Sequence, residues 1–530
     1  MAHFINQFLS NLTKYSSSPL VKVYVGSPGA PAWNTITYQD FQIDMEKVAA
    51  YWYARLTEVG IPQNSVVGLW LTGHAYSDLI HLYGLTRAGY IPQTFSVLFS
   101  YPGQEVVRDL LTACNGKAII HDIKFAVDLF DIPSFVTPSI QNVPKIEAGK
   151  LLAVLNVDEM DMAMVFHTSG TTGGRPKPVP CTHRWLNAQV HFVSAIWDGE
   201  PVNHSIVNNI GSFAHLGSAT SISYLAHSGS CLIQTSKADM DTSEFYALVE
   251  QGGMNRCLLY ASWLSRLLEI SKKDSRLLST LKSMRQLTYT GASLNPENEK
   301  WVFEQGIPVT VMYATTEISP VLASKLDDLK LLPAMKIIPG TNVEFIPSGD
   351  IDISQLDLDS QKRATGGMLY DLFIPESFAC CPHPVVRNRP NGHITGDLFE
   401  EIAPGYYAFR GRSDDWIRTG RTWGFCDTKA VEDNVLLVCA DLVSNCVVVG
   451  HYKTSVVLLV EPSNAVAVGS EDGLKESIMD RTQEFRSRQF IHERLRDAKH
   501  IIIASQGSLP RTKEKGNIRF YISFNLGSRN

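Results

Sequence analysis

The stretch from His167 to Val179, HTSGTTGGRPKPV, carries the densest chemistry in the chain. Hydroxyls at Thr168, Ser169, Thr171 and Thr172 are interleaved with Gly170, Gly173 and Gly174, and the cations Arg175 and Lys177 follow. Glycines let a backbone turn its N–H groups inward, and hydroxyls add donors, so such a loop can wrap an anion such as a phosphate. A Walker-type loop is excluded: it needs Gly-Lys followed by Ser or Thr, whereas Pro176 precedes Lys177 and Pro178 follows it. A solvated Ser/Gly surface loop is the competing reading. The two prolines, the two cations and the apolar run Met162 to Phe166 directly before the loop weigh against it.

A phosphate loop needs a scaffold, and the apolar pattern supplies one. Met45, Val48, Ala49, Trp52 and Leu56 recur at helical spacing. Val66 to Leu71 reads as a buried strand. A helix from Tyr76 to Ala88 follows, with Gly89 as its C-cap. Ala118–Ile120, Met162–Phe166, Leu258–Tyr260, Leu287–Thr290 and Val309–Met312 read as further strands with helices between them. This alternation predicts an α/β fold whose large N-terminal domain is built of helix-covered, mostly parallel sheets. After about residue 400 the pattern changes. Strands at Tyr406–Phe409, Cys446–Val449 and Val456–Val460 and a charged helix from Asp480 to Leu495 predict a smaller α+β domain.

Composition narrows the function. At 530 residues the chain exceeds one ordinary domain. Lys plus Arg is 47 and Asp plus Glu is 53, so the net charge of −6 argues against a nucleic-acid partner. Nine cysteines without a CxxC pair predict reduced, structural thiols, the adjacent Cys380 and Cys381 being only a weak metal or redox signal. The N-terminus has no apolar core with a cleavage site. The uncharged run Pro201–Ser236 is too rich in Asn, His and Ser to span a bilayer. The expectation is a soluble cytoplasmic protein with no membrane partner.

Other motifs follow the loop in order. Tyr313-Ala314-Thr315-Thr316-Glu317, Thr395-Gly396-Asp397, Gly411-Arg412-Ser413-Asp414-Asp415 and the segment Pro510-Arg511-Thr512 to Arg519 are preceded by Ile36-Thr37-Tyr38 and Ala88-Gly89-Tyr90-Ile91-Pro92. Together they resemble the adenylate-forming enzymes of the ANL superfamily: acyl-CoA synthetases, luciferases and adenylation domains of non-ribosomal peptide synthetases. The resemblance covers nearly the whole chain. It departs from the family pattern at Ala314, where Gly is common, and in one extra residue in the phosphate loop.

The resemblance implies ATP-dependent activation of a carboxylic acid to an acyl-adenylate, then attack by a thiol. Two anions must meet, so charge neutralisation is the main catalytic task. It implies that Thr168, Ser169, Gly170, Thr171, Thr172, Gly173 and Lys177 cradle the β- and γ-phosphates. Glu317 would bind Mg²⁺ and Thr316 would contact the α-phosphate. Tyr313 would stack on adenine beside Gly291, Ala292 and Ser293, with Ala314 adjacent. Asp397 would accept from both ribose hydroxyls, and Arg412 would also hold the ribose. Asp414 matches the hinge between a core spanning 1–411 and a small mobile lid spanning 412–530. In the C-terminal motif the order is Lys-Gly, which makes Lys515 the catalytic lysine, with Lys513 as runner-up.

The acid pocket is implied by Phe213-Ala214-His215-Leu216-Gly217-Ser218 and by Tyr289 and Gly291. Amino-acid-activating members usually have Phe-Asp there, the aspartate pairing with the substrate ammonium. Ala214 leaves no such counter-ion, and an unpaired buried ammonium is costly. An acid without an α-amino group, aryl in preference, is expected. Thr182-His183-Arg184-Trp185 after the loop, Lys177-Pro178 and the Lys-Gly order resemble adenylation domains of fungal NRPS-like carboxylic acid reductases. That implies a phosphopantetheine thiol on a carrier domain, in cis or in trans, as acceptor. A free-standing ligase using the CoA thiol is the alternative, and a non-catalytic nucleotide or acid sensor is the reading from a different class. The chain has neither a carrier motif nor a GxGxxG fingerprint, so it is expected to make no aldehyde by itself.

Overall fold

The computed structural model describes residues 3–27, 29–100, 104–125, 131–144, 152–168, 176–196, 205–209, 211–237, 240–291, 293–348, 369–413, 416–419, 424–450, 453–463, 471–489 and 493–509. Two sheets dominate it. A six-stranded sheet runs in the order Ser134–Val136, Ala118–His121, Val66–Trp70, Ile91–Phe95, Met162–His167, Pro178–Thr182, and all its pairs are parallel except the last. A nine-stranded sheet has at its centre the parallel strands Ile206–Asn208, Arg256–Tyr260, Gln286–Thr290 and Val309–Tyr313, with antiparallel strands at both edges. The expected helix-covered parallel architecture is therefore present.

Local rules explain the connecting elements. The helix Tyr38–Glu58 starts at a capping box: Thr37 Oγ1 accepts from the Asp40 amide at 3.1 Å and Asp40 Oδ2 accepts from the Thr37 amide at 3.0 Å. Its predicted face, Met45, Val48, Ala49, Trp52 and Leu56, is buried. The helix Tyr76–Arg87 lies against it. Gly89 follows that helix with φ +86°, where an added Cβ would sit 2.7 Å from Gln63 Nε2. One apolar core runs from Phe4 to Phe399 beneath both sheets. Within it Arg87 and Glu46 form a buried ion pair at 2.7 Å.

Two expectations are corrected. The strand Tyr406–Arg412 belongs to a four-stranded antiparallel sheet with Glu344–Pro347, Leu369–Pro375 and Gly392–Ala403. Phe399 is part of the large core and Tyr407 and Phe409 pack against it, so this strand joins the large body and not the small α+β unit. The charged helix expected at Asp480–Leu495 is instead two helices, Glu471–Arg481 and Gln483–Arg488, with Thr482 between them. At Thr482 the i→i−4 bonds persist, its amide to Ile478 O at 3.1 Å and the Arg486 amide to Thr482 O at 2.9 Å, so the second helix follows the first directly; it ends at Arg488, short of the expected Leu495. The small unit has its own core, Ile417 through Ile501, under a two-stranded and a three-stranded sheet. Among the described residues no helix is long and apolar enough to cross a membrane.

Candidate active site

The site is built where strands of the two large sheets end. The strand Met162–His167 delivers Thr168, and the antiparallel return Pro178–Thr182 brings Lys177 back beside it. The Thr168 amide donates to Lys177 O at 3.0 Å, closing the base of the loop. Ser169, Gly170, Thr171, Thr172 and Gly173 lie outside the described residues, as do Ala292, Asp414, Lys513 and Lys515.

The strand Val309–Tyr313 ends in the motif that carries Thr315, Thr316 and Glu317. Thr315 Oγ1 accepts from the Glu317 amide at 3.2 Å. The Glu317 carboxylate receives no hydrogen bond from a described residue, and its charge acts on two buried neighbours, His393 and Cys181. The Tyr313 ring meets Phe399 edge-on at 5.0 Å, and its hydroxyl donates to Asp397 Oδ2 at 2.5 Å. Burial and the Asp397 charge hold that hydroxyl well above its ordinary pKa, so it remains a donor.

Asp397 and Arg412 are directly paired residues of neighbouring antiparallel strands. Arg412 Nη1 donates to Asp397 Oδ1 at 3.2 Å and to Thr395 O at 3.1 Å. Gly396, between them in sequence, has φ +74°, and a Cβ there would stand 3.2 Å from Arg412 Nη2. Burial raises the Asp397 carboxyl above its ordinary pKa, while Arg412 and the Tyr313 hydroxyl oppose that rise. Tyr313, Asp397 and Arg412, 84 and 15 residues apart as successive hydrogen-bonded pairs, therefore form one network.

Beside it lies a cavity of about 520 Å³, a size suited to a small organic ligand. Ala214, His215 and Gly217 line it, as do Gly291, Ala314, Thr316 and Thr168. Phe213 and Tyr289 do not. Phe213 is buried facing His74, and Tyr289 is fully buried while its strand neighbours Thr288 and Thr290 face the cavity. Strand alternation puts 288 and 290 on one face and 289 on the other. Sequence reasoning missed Thr94, Ser96, Gln189, Val193 and Ile196, which lie in or just after the strand Ile91–Phe95 and the helix His183–Ala195, beyond the motifs at which those elements begin. His167, the first residue of the loop motif, also lines the cavity. It stacks on Phe95 at 5.1 Å, its Nε2 lies 3.0 Å from Gln93 Nε2, and burial lowers its pKa to about 3. No Asp, Glu, Lys or Arg is among the described residues lining this cavity.

Residues 16–347 match the family described as AMP-binding enzyme, and residues 427–521 match the AMP-binding enzyme C-terminal domain. The chain belongs to the AMP-binding enzyme family. It is an adenylate-forming, acid-activating ligase that uses ATP. The AMP-binding domain-containing enzyme iboA of Amanita muscaria (strain Koide BX008) is 32% identical over 499 residues, covering 92% of this chain and 94% of that protein. Among solved structures, ATP-bound MatB from Rhodopseudomonas palustris matches with a TM-score of 0.71 at 16% identity, covering 98% of this chain and 97% of that one. O-succinylbenzoate Coenzyme A Synthetase (MenE) from Bacillus subtilis, in complex with AMP, matches with a TM-score of 0.72 at 13% identity, covering 97% and 96%. These structural likenesses establish that the AMP-binding enzyme shares their fold.

Proposed function

We propose that this AMP-binding enzyme activates a carboxylic acid without an α-amino group, aryl in preference, and passes the acyl group to the thiol of a carrier-bound phosphopantetheine, as the adenylation part of an NRPS-like carboxylic acid reductase. The observation that carries the acid class is the cavity of about 520 Å³ whose described lining contains no Asp, Glu, Lys or Arg but includes Thr168, Thr315 and Thr316. A substrate ammonium there would lack a counter-ion, whereas a neutral ring would not.

The roles follow the chemistry of each group. Asp397, with Tyr313 and Arg412 fixing its two oxygens, would accept the ribose hydroxyls. The Tyr313 ring and the Gly291–Ser293 segment would flank adenine. Thr168, Lys177 and the loop between them would hold the β- and γ-phosphates. The carboxylate of Glu317, to which no described residue donates, suits Mg²⁺, which takes one or two carboxylates together with phosphate oxygens. The ion would neutralise phosphate charge. Thr316 would donate to the α-phosphate. Lys515, arriving from the lid about a hinge at Asp414, would stabilise the charge that develops as the acid carboxylate attacks the α-phosphorus and pyrophosphate leaves. The body 1–411 would keep the nucleotide while the lid 412–530 turns to admit the thiol.

CoA as acceptor is the second reading, supported by the likeness to a structure named as a Coenzyme A synthetase. ATP–pyrophosphate exchange over a panel of acids tests the first half of the proposal. Exchange with an α-amino acid, and none with its deaminated analogue, would refute it. Thioester formation on CoA, with none on a phosphopantetheinylated carrier domain, would transfer the second half to the CoA ligase reading.

A further inference from the structure

Three hydroxyls of the acid cavity are engaged by protein partners. Thr94 Oγ1 donates to Ala214 O at 2.9 Å, Thr288 Oγ1 is paired with Thr310 Oγ1 at 3.0 Å, and Thr315 Oγ1 accepts from the Glu317 amide. Gln189 is different. It is 4% exposed and lines the cavity with Val193 and Ile196, at i, i+4 and i+7 of the helix His183–Ala195 and its following residue. Its Nε2 donates to Thr220 Oγ1 at 2.9 Å. Thr220 Oγ1 in turn donates its one proton to Leu216 O at 2.8 Å, so towards Gln189 it can only accept. This chain of bonds sets the amide orientation: Nε2 faces Thr220 and Oε1 does not. Among the described residues no donor reaches Oε1.

Oε1 is open to the cavity, and a ligand that excludes water from such an acceptor must supply a donor in its place or leave it unpaired. We propose that Gln189 reads a hydrogen-bond donor on the acid itself, so that the substrate carries a hydroxyl or amide-type N–H in addition to its carboxylate. This rests on the acid-activating reading of the cavity and narrows it. The amide oxygen sets the polarity, because it only accepts. Ser218, 1% exposed in the same lining, has a hydroxyl that either donates or accepts and so does not discriminate. The donor is uncharged, since the described lining offers no carboxylate to balance a cation. A hydroxylated aryl or alkyl acid meets these conditions, and its unsubstituted parent leaves Oε1 unpaired.

The test is pyrophosphate exchange by the full chain on matched pairs: benzoate against its three monohydroxy isomers, cinnamate against its hydroxy isomers, and hexanoate against hydroxyhexanoates. One hydroxylated isomer should exceed its parent by about 10- to 100-fold in kcat/KM, the effect of leaving one buried acceptor unpaired. In Gln189→Leu and Gln189→Met that ratio should fall to near one, with ATP titration by calorimetry verifying that the nucleotide site is intact. Exchange with several acids but no preference for any hydroxylated isomer overturns the role of Gln189 and leaves acid activation standing. A preference that survives in both variants overturns it equally. Exchange with no acid overturns both readings. If both variants fail to bind ATP, the wild-type panel alone decides.

Discussion

Tyr313→Phe should move the acid limit of ATP binding to higher pH. The substitution keeps the ring that meets Phe399 and removes only the hydroxyl that donates to Asp397 Oδ2 at 2.5 Å. A hydrogen bond to an ionised carboxylate contributes roughly 1.5–3 kcal/mol. Losing it lowers the ratio of ionised to protonated Asp397 at fixed pH by roughly 10- to 150-fold. The sign follows from burial: the folded-state carboxyl already lies above its ordinary pKa, and Tyr313 and Arg412 oppose that rise. Removing one opposing group raises it further. Only the ionised form can accept from both ribose hydroxyls, so affinity is full above the folded pKa and fades as pH falls through it. Calorimetric ATP titration from neutral to mildly acid pH should show the variant losing affinity at a higher pH than wild type. Near-equal affinity is expected well above that limb. Asp397→Ala serves as the reference, weak at every pH. Superimposable profiles for wild type and Tyr313→Phe would refute the network as the reason Asp397 stays ionised.

Lys515→Ala should suppress pyrophosphate exchange by on the order of 10²–10³ while ATP still binds, the effect of losing one charge-stabilising group. Near-normal exchange would move the role to Lys513. Benzoate- or cinnamate-like acids should support exchange and phenylalanine or tyrosine should not. The reverse pattern would remove Ala214 as the determinant. Glu46→Ala should destabilise the large body by about 3–5 kcal/mol, because it leaves the Arg87 guanidinium buried and unpaired. Denaturant unfolding measures this, and Glu46→Leu combined with Arg87→Met should recover much of the loss.

The parts legible in the sequence were those fixed by local rules. The Met45–Leu56 stripe, the buried run at Val66 and the Gly89 cap depend on neighbours a few residues away, and each appears in the structure. The pocket segment around Ala214 and His215 was legible through a motif. The part of the lining formed by Gln189, Val193 and Ile196 was not, because their spacing, on the helix His183–Ala195 and the residue after it, is equally that of a core face. Tyr289 shows the converse limit. Period two requires that it oppose Thr288 and Thr290, but only the packing decides which face meets the cavity. The Tyr406–Arg412 strand misled for a similar reason: its hairpin with Gly392–Ala403 is local, but the packing of Tyr407 and Phe409 on the large core, which assigns it to the large body, lies beyond any local window.

The closed base of the loop between Thr168 and Lys177 separates loop length from sheet register. Five pairs between Met162–His167 and Pro178–Thr182, capped by the bond from Thr168 to Lys177, set the ladder register below the loop. A residue added between these two feet would leave the register below them unchanged, so no strand residue need change face to accommodate it. Lengthening a loop of about ten residues by one changes its closure free energy by only about 0.1 kcal/mol. A one-residue change in length between the two feet is thus close to neutral for closing the loop. Changes at the feet alter the ladder itself. Loop length is thus uncoupled from the register of the ladder, whereas the residues that flank the loop are bound to it.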